Sequence, residues 1–274
     1  MSLSIDLEGR VILVCGAAPG GISGATVRQA ALAGASVFAV DNNQAFIDET
    51  IAEVERAGGR CQGIVVDLTD PAQTDPLIET VVARLGRLDG VVNVAGGTTA
   101  EEWKPLEQTS TEMFRNTLNL NLEYVFRICR DAAASMIKRD APGSLVNVGS
   151  VSALTSAPFH GPYGAAKSGI AALTRTMAFE WGRYGIRANT VQPGAVMSQR
   201  VLSRANTVAA GGRAGGSSDI VVTTIDEMAN AIVFLLSDLA SGISGQTISV
   251  DSALSTKFCG GARPFEINKR NPQA

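Results

Sequence analysis

A tyrosine and a lysine at an i, i+4 spacing, Tyr163 and Lys167, form the pair with the clearest chemical potential. Residues 161–183 have helical spacing, so the two side chains lie on one face of the predicted helix. Tyrosine titrates near pH ~10 and is a poor base at neutral pH, but a nearby ammonium stabilises the tyrosinate and lowers that pKa. The pair could exchange a proton with a substrate oxygen; an exposed helical pair without chemistry is the alternative interpretation.

A glycine-rich turn, residues 16–24, follows a short apolar strand predicted over residues 11–15. Backbone N–H groups at a helix N-terminus face an anion, and glycines let the backbone approach a pyrophosphate closely. Asp41, at the end of the second predicted strand, could accept hydrogen bonds from both hydroxyls of an adenine ribose; alternatively it caps the next helix. It would repel a 2′-phosphate by roughly 4 kcal/mol at about 4 Å and an effective dielectric constant of about 20. Asn42 and Asn43 follow instead of Lys or Arg, so the sequence favours NAD(H) over NADP(H).

The composition of the 274 residues excludes several classes of protein. Apolar residues make up 45% and the formal net charge is −3, which argues against disorder in the bulk of the chain. Because no basic stripe is present to neutralise phosphates, we expect no nucleic-acid partner. The apolar runs are far shorter than a membrane span, and the first ten residues contain no hydrophobic signal segment. We therefore expect no membrane association and a cytoplasmic location.

The histidine and cysteine content limits metal and nucleophile chemistry. His160 is the one histidine in the sequence, so zinc enzymes with several histidine ligands are excluded and we expect no metal. A hydrolase triad would need Ser150 with His160, but no GxSxG motif is present and the Tyr163 and Lys167 pair would go unexplained. The four cysteines form no CxxC pair and are expected to be free thiols: Cys15, Cys61, Cys129 and Cys259.

Apolar segments with strand and helix spacing alternate along the chain, which indicates a mostly parallel sheet covered by helices on both faces. We expect a single doubly wound α/β domain of Rossmann type over residues 1–274, with about seven strands. Residues 198–222 have no clear period and are predicted to form a mobile substrate lid, and residues 254–274 a polar tail. Strands are predicted over 11–15, 37–40, 63–66, 90–93, 144–148, 187–191 and 246–250, and helices over 24–33, 44–57, 71–85, 111–139, 161–183 and 225–237.

Seven features in chain order give the sequence a resemblance to the classical short-chain dehydrogenase/reductase family, from about residue 8 to residue 253. The glycine-rich turn departs from the family pattern, because it is one residue longer and has Ser23 where glycine is usual. The features are the turn at 16–24, Asp67-Leu68, Asn93-Val94-Ala95-Gly96, Asn121, Ser150, the Tyr163 and Lys167 pair, and Pro193-Gly194 followed by Val196 and Ser198.

The resemblance implies a role for each catalytic candidate. Tyr163 would be the general acid/base for the substrate oxygen, and Ser150 would hydrogen-bond that oxygen. Lys167 would hold the nicotinamide ribose and lower the Tyr163 pKa. Asn121 would hold a water, through a main-chain distortion of its helix, in a proton relay toward Lys167. The family implies direct hydride transfer without a metal, and a homotetramer in which the helices over 111–139 and 161–183 pair between subunits.

Further residues are expected at the cofactor. Asp67, which ends the third predicted strand, could meet the adenine amino group, and Leu68 adjoins it. The contacts implied by the resemblance are Gly16, Gly21 and Ile22 at the pyrophosphate and ribose, Asn93, Ala95 and Gly96 under the adenosine, and Pro193, Gly194, Val196 and Ser198 at the nicotinamide.

The sequence says less about which residues contact the substrate. His160 either contacts substrate or has a structural role, and Trp103 either packs or forms a substrate wall. Met197 could face the pocket. Three arginines of the unpatterned loop either bind an anionic substrate group or are solvated: Arg200, Arg204 and Arg213.

We therefore expect an NAD(H)-dependent alcohol dehydrogenase or carbonyl reductase acting on a secondary alcohol or ketone, on a ring or a hydroxyacyl chain. One alternative is a 3-oxoacyl-thioester reductase of fatty-acid type, although Asp41 argues against its usual NADP(H). Another is a non-catalytic NAD(H)-binding sensor or scaffold, which would have no need of Ser150, Tyr163 and Lys167.

Overall fold

The computed structural model describes residues 4–197 and 222–256. The strands in these ranges are β1 Val11–Cys15, β2 Ser36–Asp41, β3 Arg60–Val65, β4 Gly90–Asn93, β5 Gly143–Val148, β6 Ile186–Pro193, β7 Val196–Met197, β8 Thr223–Thr224 and β9 Thr247–Val250. Seven of them form one parallel sheet in the order β3-β2-β1-β4-β5-β6-β9, and β7 pairs with β8 beside it. This confirms the predicted doubly wound α/β fold. Ser198, nearly all of the predicted lid and the tail from residue 257 lie outside the described residues.

Helices cover both faces of the sheet. They are α1 Ile22–Leu32, α2 Gln44–Arg56, α3 Pro71–Thr74, α4 Leu77–Leu85, α5 Thr111–Leu118, α6 Tyr124–Lys138, α7 Gly161–Gly182 and α8 Ile225–Leu236. Side chains of α1, α2 and α8 form one buried apolar layer against the sheet, and those of α4, α6 and α7 form the other. β1 and β4 are buried along their whole length, so β1 is apolar throughout and β4 is apolar up to its last residue, Asn93.

Two predicted helices are interrupted. The helix predicted over 71–85 is two helices, because Pro76 lacks the backbone N–H that a continuous helix needs at that point. The helix predicted over 111–139 contains a π-helical turn, Asn119–Glu123, between α5 and α6. β3 begins three residues before the predicted 63–66 and ends one residue before residue 66, since this edge strand pairs with β2 from Arg60 onward and is only partly buried.

The chain order places a crevice at one edge of the sheet. β1, β2 and β3 follow one another to one side, while β4, β5 and β6 follow one another to the other side. Ligands of such sheets bind at the carboxyl ends of the strands where this direction changes, here between β1 and β4. Within the described ranges, no helix has the length and apolar character needed to cross a membrane.

Candidate functional site

The glycine-rich turn leaves β1 at this crevice and is tightly packed. Gly16 has φ +109°, and a Cβ there would lie 3.2 Å from the backbone nitrogen of Ala95. The Ala18 carbonyl accepts hydrogen bonds from the N–H groups of Gly21 and Gly24, at 3.2 and 3.3 Å. A Cβ on Gly24 would lie 2.7 Å from that carbonyl oxygen, so the turn requires glycine there.

Ser23 stabilises the lengthened turn rather than disrupting it. Its hydroxyl accepts a hydrogen bond from the Ala18 N–H at 3.0 Å, and its side chain is buried. Thr50 of α2 donates to the Ala17 carbonyl at 2.7 Å and holds the other side of the turn. The helix therefore starts at Ile22, two residues before the predicted start.

The N-terminus of α1 fits an anionic group. The N-cap of α1 is Gly21, which has no side chain that could cap the helix. The first turn of α1 carries no acidic residue. The N–H groups and dipole of such a helix end favour a negative ligand. The turn and helix therefore have the features that a pyrophosphate needs.

Asp41 ends β2 beside this turn. One carboxylate oxygen accepts a hydrogen bond from the Ala17 N–H at 2.8 Å, and the other accepts from the Asn43 N–H at 3.1 Å. Each oxygen has a second lone pair available to a ribose hydroxyl. The N-cap of α2 is Asn43, whose side chain accepts from Ala45 N–H, so the interpretation of Asp41 as that cap is wrong.

Asp67 and Leu68 follow β3 at the same edge. One Asp67 carboxylate oxygen accepts from both the N–H and the hydroxyl of Thr69, at 2.8 and 2.7 Å. Leu68 is buried, and its carbonyl accepts a hydrogen bond from the Arg127 guanidinium at 2.8 Å. These bonds hold the loop in place; the adenine contact is still a prediction.

The Asn93 side chain points away from the crevice. It is 1% exposed and donates to the Asn147 side-chain oxygen at 2.8 Å, within a buried polar cluster between the sheet and α6 and α7. Contacts from this segment to a ligand would come from its backbone. Ala95 is held at both ends, since its N–H donates to the Cys15 carbonyl and its own carbonyl accepts from the Tyr124 hydroxyl at 2.7 Å.

Asn121 lies in the π-helical turn, so the main-chain distortion implied by the family resemblance is present. It is fully buried, and its side chain binds the backbone of Gly97 twice, accepting from N–H at 2.8 Å and donating to the carbonyl at 3.0 Å. A Cβ on Gly96 would lie 2.6 Å from the Asn121 side-chain oxygen and 3.5 Å from the Lys167 Nζ. Asn121 and Lys167 therefore border the same glycine.

Tyr163 and Lys167 share one face of α7, as the spacing predicted. The Lys167 Nζ lies 5.6 Å from the centre of the Tyr163 ring and donates to the Val148 carbonyl at 2.9 Å. Lys167 is 3% exposed, and this burial lowers its pKa to about 8. At neutral pH the side chain is therefore still mostly cationic and can stabilise a tyrosinate.

Ser150 follows β5 and is buried and oriented by its own loop. Its hydroxyl oxygen accepts a hydrogen bond from the Ser152 N–H at 3.1 Å. The hydroxyl hydrogen is thereby directed elsewhere and can serve a substrate oxygen. Ser152 was missed from the sequence, although a second serine two residues after Ser150 was the available signal.

Pro193 and Gly194 follow at the end of β6. Pro193 pairs with Val250 of β9, and a Cβ on Gly194 would lie 2.8 Å from the Asp251 Cβ, so this turn is held against the end of β9. Val196 is buried in β7, whereas the next residue, Met197, is 42% exposed.

Trp103 and His160 meet at the outer side of the site. Their rings stack with centroids 4.3 Å apart and planes at 21°, and the His160 ring lies 5.9 Å from that of Tyr163. The sequence singled out all three residues but could not show that they are neighbours. Among the described residues no cluster of three or more potential metal ligands occurs, and Cys15, Cys61 and Cys129 are free thiols.

Comparison with known proteins gives a consistent set of relatives. Residues 16–255 match the family described as Enoyl-(Acyl carrier protein) reductase. The chain is 37% identical over 249 residues to a (5R,7aS)-5-hydroxy-7a-methyl-1-oxo-2,3,5,6,7,7a-hexahydro-1H-indene-carboxyl-CoA reductase of Mycobacterium tuberculosis, covering 89% of this chain and 92% of that one. It is 34% identical over 255 residues to the 3-oxoacyl-(acyl-carrier-protein) reductase FabG of Thermotoga maritima, covering 90% and 98%.

A solved structure of a short-chain type dehydrogenase/reductase from Mycobacterium ulcerans has the same fold. It superposes with a TM-score of 0.84 at 30% sequence identity, covering 92% of each chain.

Proposed function

Because the chain belongs to the classical short-chain dehydrogenase/reductase family, we propose that it is an NAD(H)-dependent oxidoreductase that interconverts a secondary alcohol and a ketone. The observation that carries this proposal is the buried Lys167 ammonium, 5.6 Å from the Tyr163 ring, at the crevice edge where Ser150 also lies. A binding protein would gain nothing from a buried cation beside a phenol, so the arrangement argues against the sensor or scaffold alternative.

The three side chains divide the proton chemistry. In reduction the Tyr163 hydroxyl gives its proton to the substrate oxygen, and in oxidation the tyrosinate takes it back. Ser150 donates its hydroxyl hydrogen to the same oxygen and stabilises the charge that develops there. Lys167 places a positive charge 5.6 Å from the Tyr163 ring and so favours the tyrosinate. When bound, the nicotinamide supplies or accepts the hydride.

Asn121 completes the route for the proton. The π-helical turn replaces regular α-helical backbone hydrogen bonding over residues 119–123, and Asn121 within it borders the same glycine as Lys167. A water held there would return a proton to Lys167 and Tyr163 from solvent. The Asn121 side chain keeps this geometry by binding both backbone groups of Gly97.

NAD(H) is the proposed cofactor because of Asp41. Its carboxylate is placed by the backbone of the glycine-rich turn, next to the helix end that would receive the pyrophosphate. A 2′-phosphate there would meet a fixed negative charge. The cofactor would be held by the turn at Gly16, Gly21 and Ile22, by Asp41, and at its nicotinamide end by Lys167 and the Pro193-Gly194 turn.

A ketone on a ring is the favoured substrate class, since the Mycobacterium tuberculosis relative is named for a hydroxy-oxo-hexahydroindene ring system that carries a carboxyl-CoA group. A second candidate is a thioester-linked 3-oxoacyl chain. The Thermotoga maritima relative is named a 3-oxoacyl reductase, which favours that candidate. We also propose a homotetramer in which α6 and α7 pair between subunits, as the family resemblance implies.

The test follows nicotinamide absorbance with cyclohexanol, 1-tetralol and 3-hydroxybutyryl-CoA, each with NAD+ and with NADP+. We expect turnover of a ring alcohol and a preference for NAD+. The Asp41→Asn variant keeps an acceptor for the Ala17 N–H but removes the charge, so its preference for NAD+ should fall at least about tenfold. Faster turnover of the thioester would support the second candidate, and an unchanged preference in Asp41→Asn would refute the role of Asp41.

A further inference from the structure

Trp103, His160 and Tyr163 form a row of aromatic rings that starts at the proposed acid/base and reaches the surface. We call these three side chains the aromatic ledge. Trp103 is 47% exposed, although it is stacked on His160 and lies in a loop that is fixed in place. An exposed aromatic face that leads away from a catalytic residue is a surface on which a ligand can pack.

Hydrogen bonds hold the two outer rings of the ledge by their edges. The His160 Nδ1 lies 2.8 Å from the Pro158 carbonyl, which makes Nδ1 the protonated nitrogen, and Nε2 lies 3.2 Å from the Ser152 hydroxyl. The Trp103 indole N–H donates to the Thr98 hydroxyl at 2.8 Å. These bonds use the ring edges and fix the ring planes.

The loop that carries Trp103 is anchored to two neighbouring elements. Glu102 accepts a hydrogen bond from the Thr117 hydroxyl of α5 at 2.9 Å, and its other oxygen accepts from the Thr99 N–H. The Lys104 N–H donates to the Phe159 carbonyl at 2.8 Å, in the loop that leads into α7. The ledge therefore exists before any ligand arrives, so binding needs little ordering of the protein.

Exposed apolar side chains also occur in the loops at the edge of the sheet where the ledge lies. The loops that follow β4, β5 and β6 expose large apolar side chains at this edge of the sheet: Leu106, Leu154, Phe159 and Met197. The Leu106 side chain approaches within 3.0 Å of the Cβ position of Gly161, at the start of α7. This composition suits an apolar substrate body better than a short polar one.

We propose that the aromatic ledge is the substrate-recognition wall of this site and that it selects ketones and alcohols whose reacting carbon belongs to a flat, fused ring system. The inference rests on the proposed function and names its substrate class. The Trp103 ring lies beyond the His160 ring as seen from Tyr163, so a substrate with its oxygen at Tyr163 and Ser150 must be larger than a single ring to contact Trp103. Trp103 is the specificity-determining residue, and His160 is a positioning residue that fixes the Trp103 plane.

The test compares the NADH-dependent reduction of 1-tetralone, cyclohexanone and 2-decanone, where 2-decanone matches the carbon count of 1-tetralone without a ring. The wild-type protein should prefer 1-tetralone. Trp103→Leu keeps apolar volume but removes the aromatic ring. Because contact between aromatic rings stabilises a complex beyond the burial of apolar area, kcat/KM for 1-tetralone should fall about tenfold, mainly through a higher KM. Cyclohexanone should change by less than about twofold, and Trp103→Phe should restore most of the loss.

The matched control is Trp181→Phe, which changes the other tryptophan of the chain, near the end of α7. It should leave the ratio of the two kcat/KM values unchanged. His160→Ala should raise KM for 1-tetralone selectively, and its combination with Trp103→Leu should cost no more than Trp103→Leu alone, because both changes remove the same surface. A purely structural role of His160 would instead affect all three ketones equally.

The outcomes separate this inference from the proposed function. If the ketones are reduced but Trp103→Leu leaves the ratio of 1-tetralone to cyclohexanone unchanged, the ledge inference is overturned and the proposed function stands. If no ketone is reduced with NADH or NADPH, the proposed function fails, and calorimetric binding of 1-tetralone tests the ledge by itself. Binding that weakens about tenfold in Trp103→Leu supports the ledge, whereas no binding, or equal binding, overturns it.

Discussion

Lys167 carries its charge in a place where the surrounding protein disfavours it. The side chain is 3% exposed, its pKa is lowered to about 8 by burial, and its described hydrogen-bond acceptor is the neutral Val148 carbonyl. A residue placed this way weakens the fold and is kept for another reason, which here is the adjacent phenol of Tyr163.

The stability of a neutral variant tests this view of Lys167. An unfolded lysine has a pKa of about 10.4, so between pH ~8 and ~10.4 the unfolded chain binds more protons and the wild-type protein becomes more stable as the pH rises. Below pH ~8, burial of the charged Lys167 side chain destabilises the wild-type fold by about 3 kcal/mol. A neutral variant regains this free energy, less the contribution of the hydrogen bond to Val148 that it loses.

Lys167→Met should therefore raise the Tm by roughly 3–6 °C at pH 7 and abolish turnover. The Tm difference should shrink as the pH rises from 8 toward 10, which thermal scans across this range would measure. A variant that is less stable at pH 7, or a difference that does not depend on pH, would contradict the account.

Gln192 is a second buried polar side chain that lowers the stability of the fold, in this case an uncharged one. It is fully buried in β6, and within the described structure neither atom of its side-chain amide has a hydrogen-bond partner. An unpaired buried amide destabilises a fold by about 1–3 kcal/mol. Asn189 in the same strand is equally buried but fully paired, donating to the Ile243 carbonyl and accepting from the Gln246 N–H.

We expect Gln192→Met, which keeps the length but removes the unpaired groups, to raise the Tm by roughly 2–4 °C. Asn189→Leu, the matched control, should lower the Tm because it leaves the Gln246 N–H without its acceptor and removes one donor to the Ile243 carbonyl. Thermal scans of both variants decide the matter: a Tm that falls in Gln192→Met would mean that its amide is satisfied in solution.

At the scale of elements, periodicity predicted most helices and strands but not their interruptions. The π-helical turn at 119–123 lies inside a stretch that the sequence predicts as one continuous helix, 111–139, so the hydrophobic pattern did not mark it. Only the family resemblance pointed to a distortion at Asn121. Pro76 was visible in the sequence, but a proline is also tolerated in the first turn of a helix, so it did not define the break by itself.

The glycine-rich turn offers a prediction at this scale. Alanine usually stabilises a helix relative to glycine by about 1 kcal/mol. Gly24→Ala, in α1, should instead lower the Tm by several degrees and weaken NAD+ binding, because its Cβ would lie 2.7 Å from the Ala18 carbonyl oxygen. Gly182→Ala, at the end of α7, has no atom within 4 Å of the new Cβ and should leave both quantities unchanged or improved. Thermal scans and calorimetric NAD+ titrations check both; equal effects would refute the packing of the turn.

For the whole molecule, the alternation of elements predicted the sheet, and the sheet brings Asp41, Ser150 and Pro193 to one edge. The substrate side could not be predicted in the same way. Trp103 and His160 come from loops without a period, and their stacking depends on long-range contacts such as that between Lys104 and Phe159. The division of the chain into one domain stays a prediction.

The oligomeric state provides a prediction at the scale of the whole molecule. α6 and α7 expose the aromatic side chains Phe126 and Phe179, the latter 89% exposed, and these helices are the proposed pairing surface. Light scattering should give the mass of four chains, and Phe179→Glu should reduce it while the fold persists. Leu32→Glu changes another exposed apolar side chain, 55% exposed at the end of α1, and should leave the mass unchanged. A wild-type monomer, or a tetramer insensitive to Phe179→Glu, would contradict the proposal.

The most direct test of the central claim is the fate of a labelled hydride. NADH that carries deuterium at both nicotinamide C4 positions is incubated with a ketone that the protein reduces, and mass spectrometry of the alcohol locates the label. The account predicts one deuterium on the carbinol carbon, and in Tyr163→Phe a transfer rate lower by at least about 10²-fold with unchanged NAD+ binding. An alcohol without deuterium, or transfer at the wild-type rate in Tyr163→Phe, would contradict it.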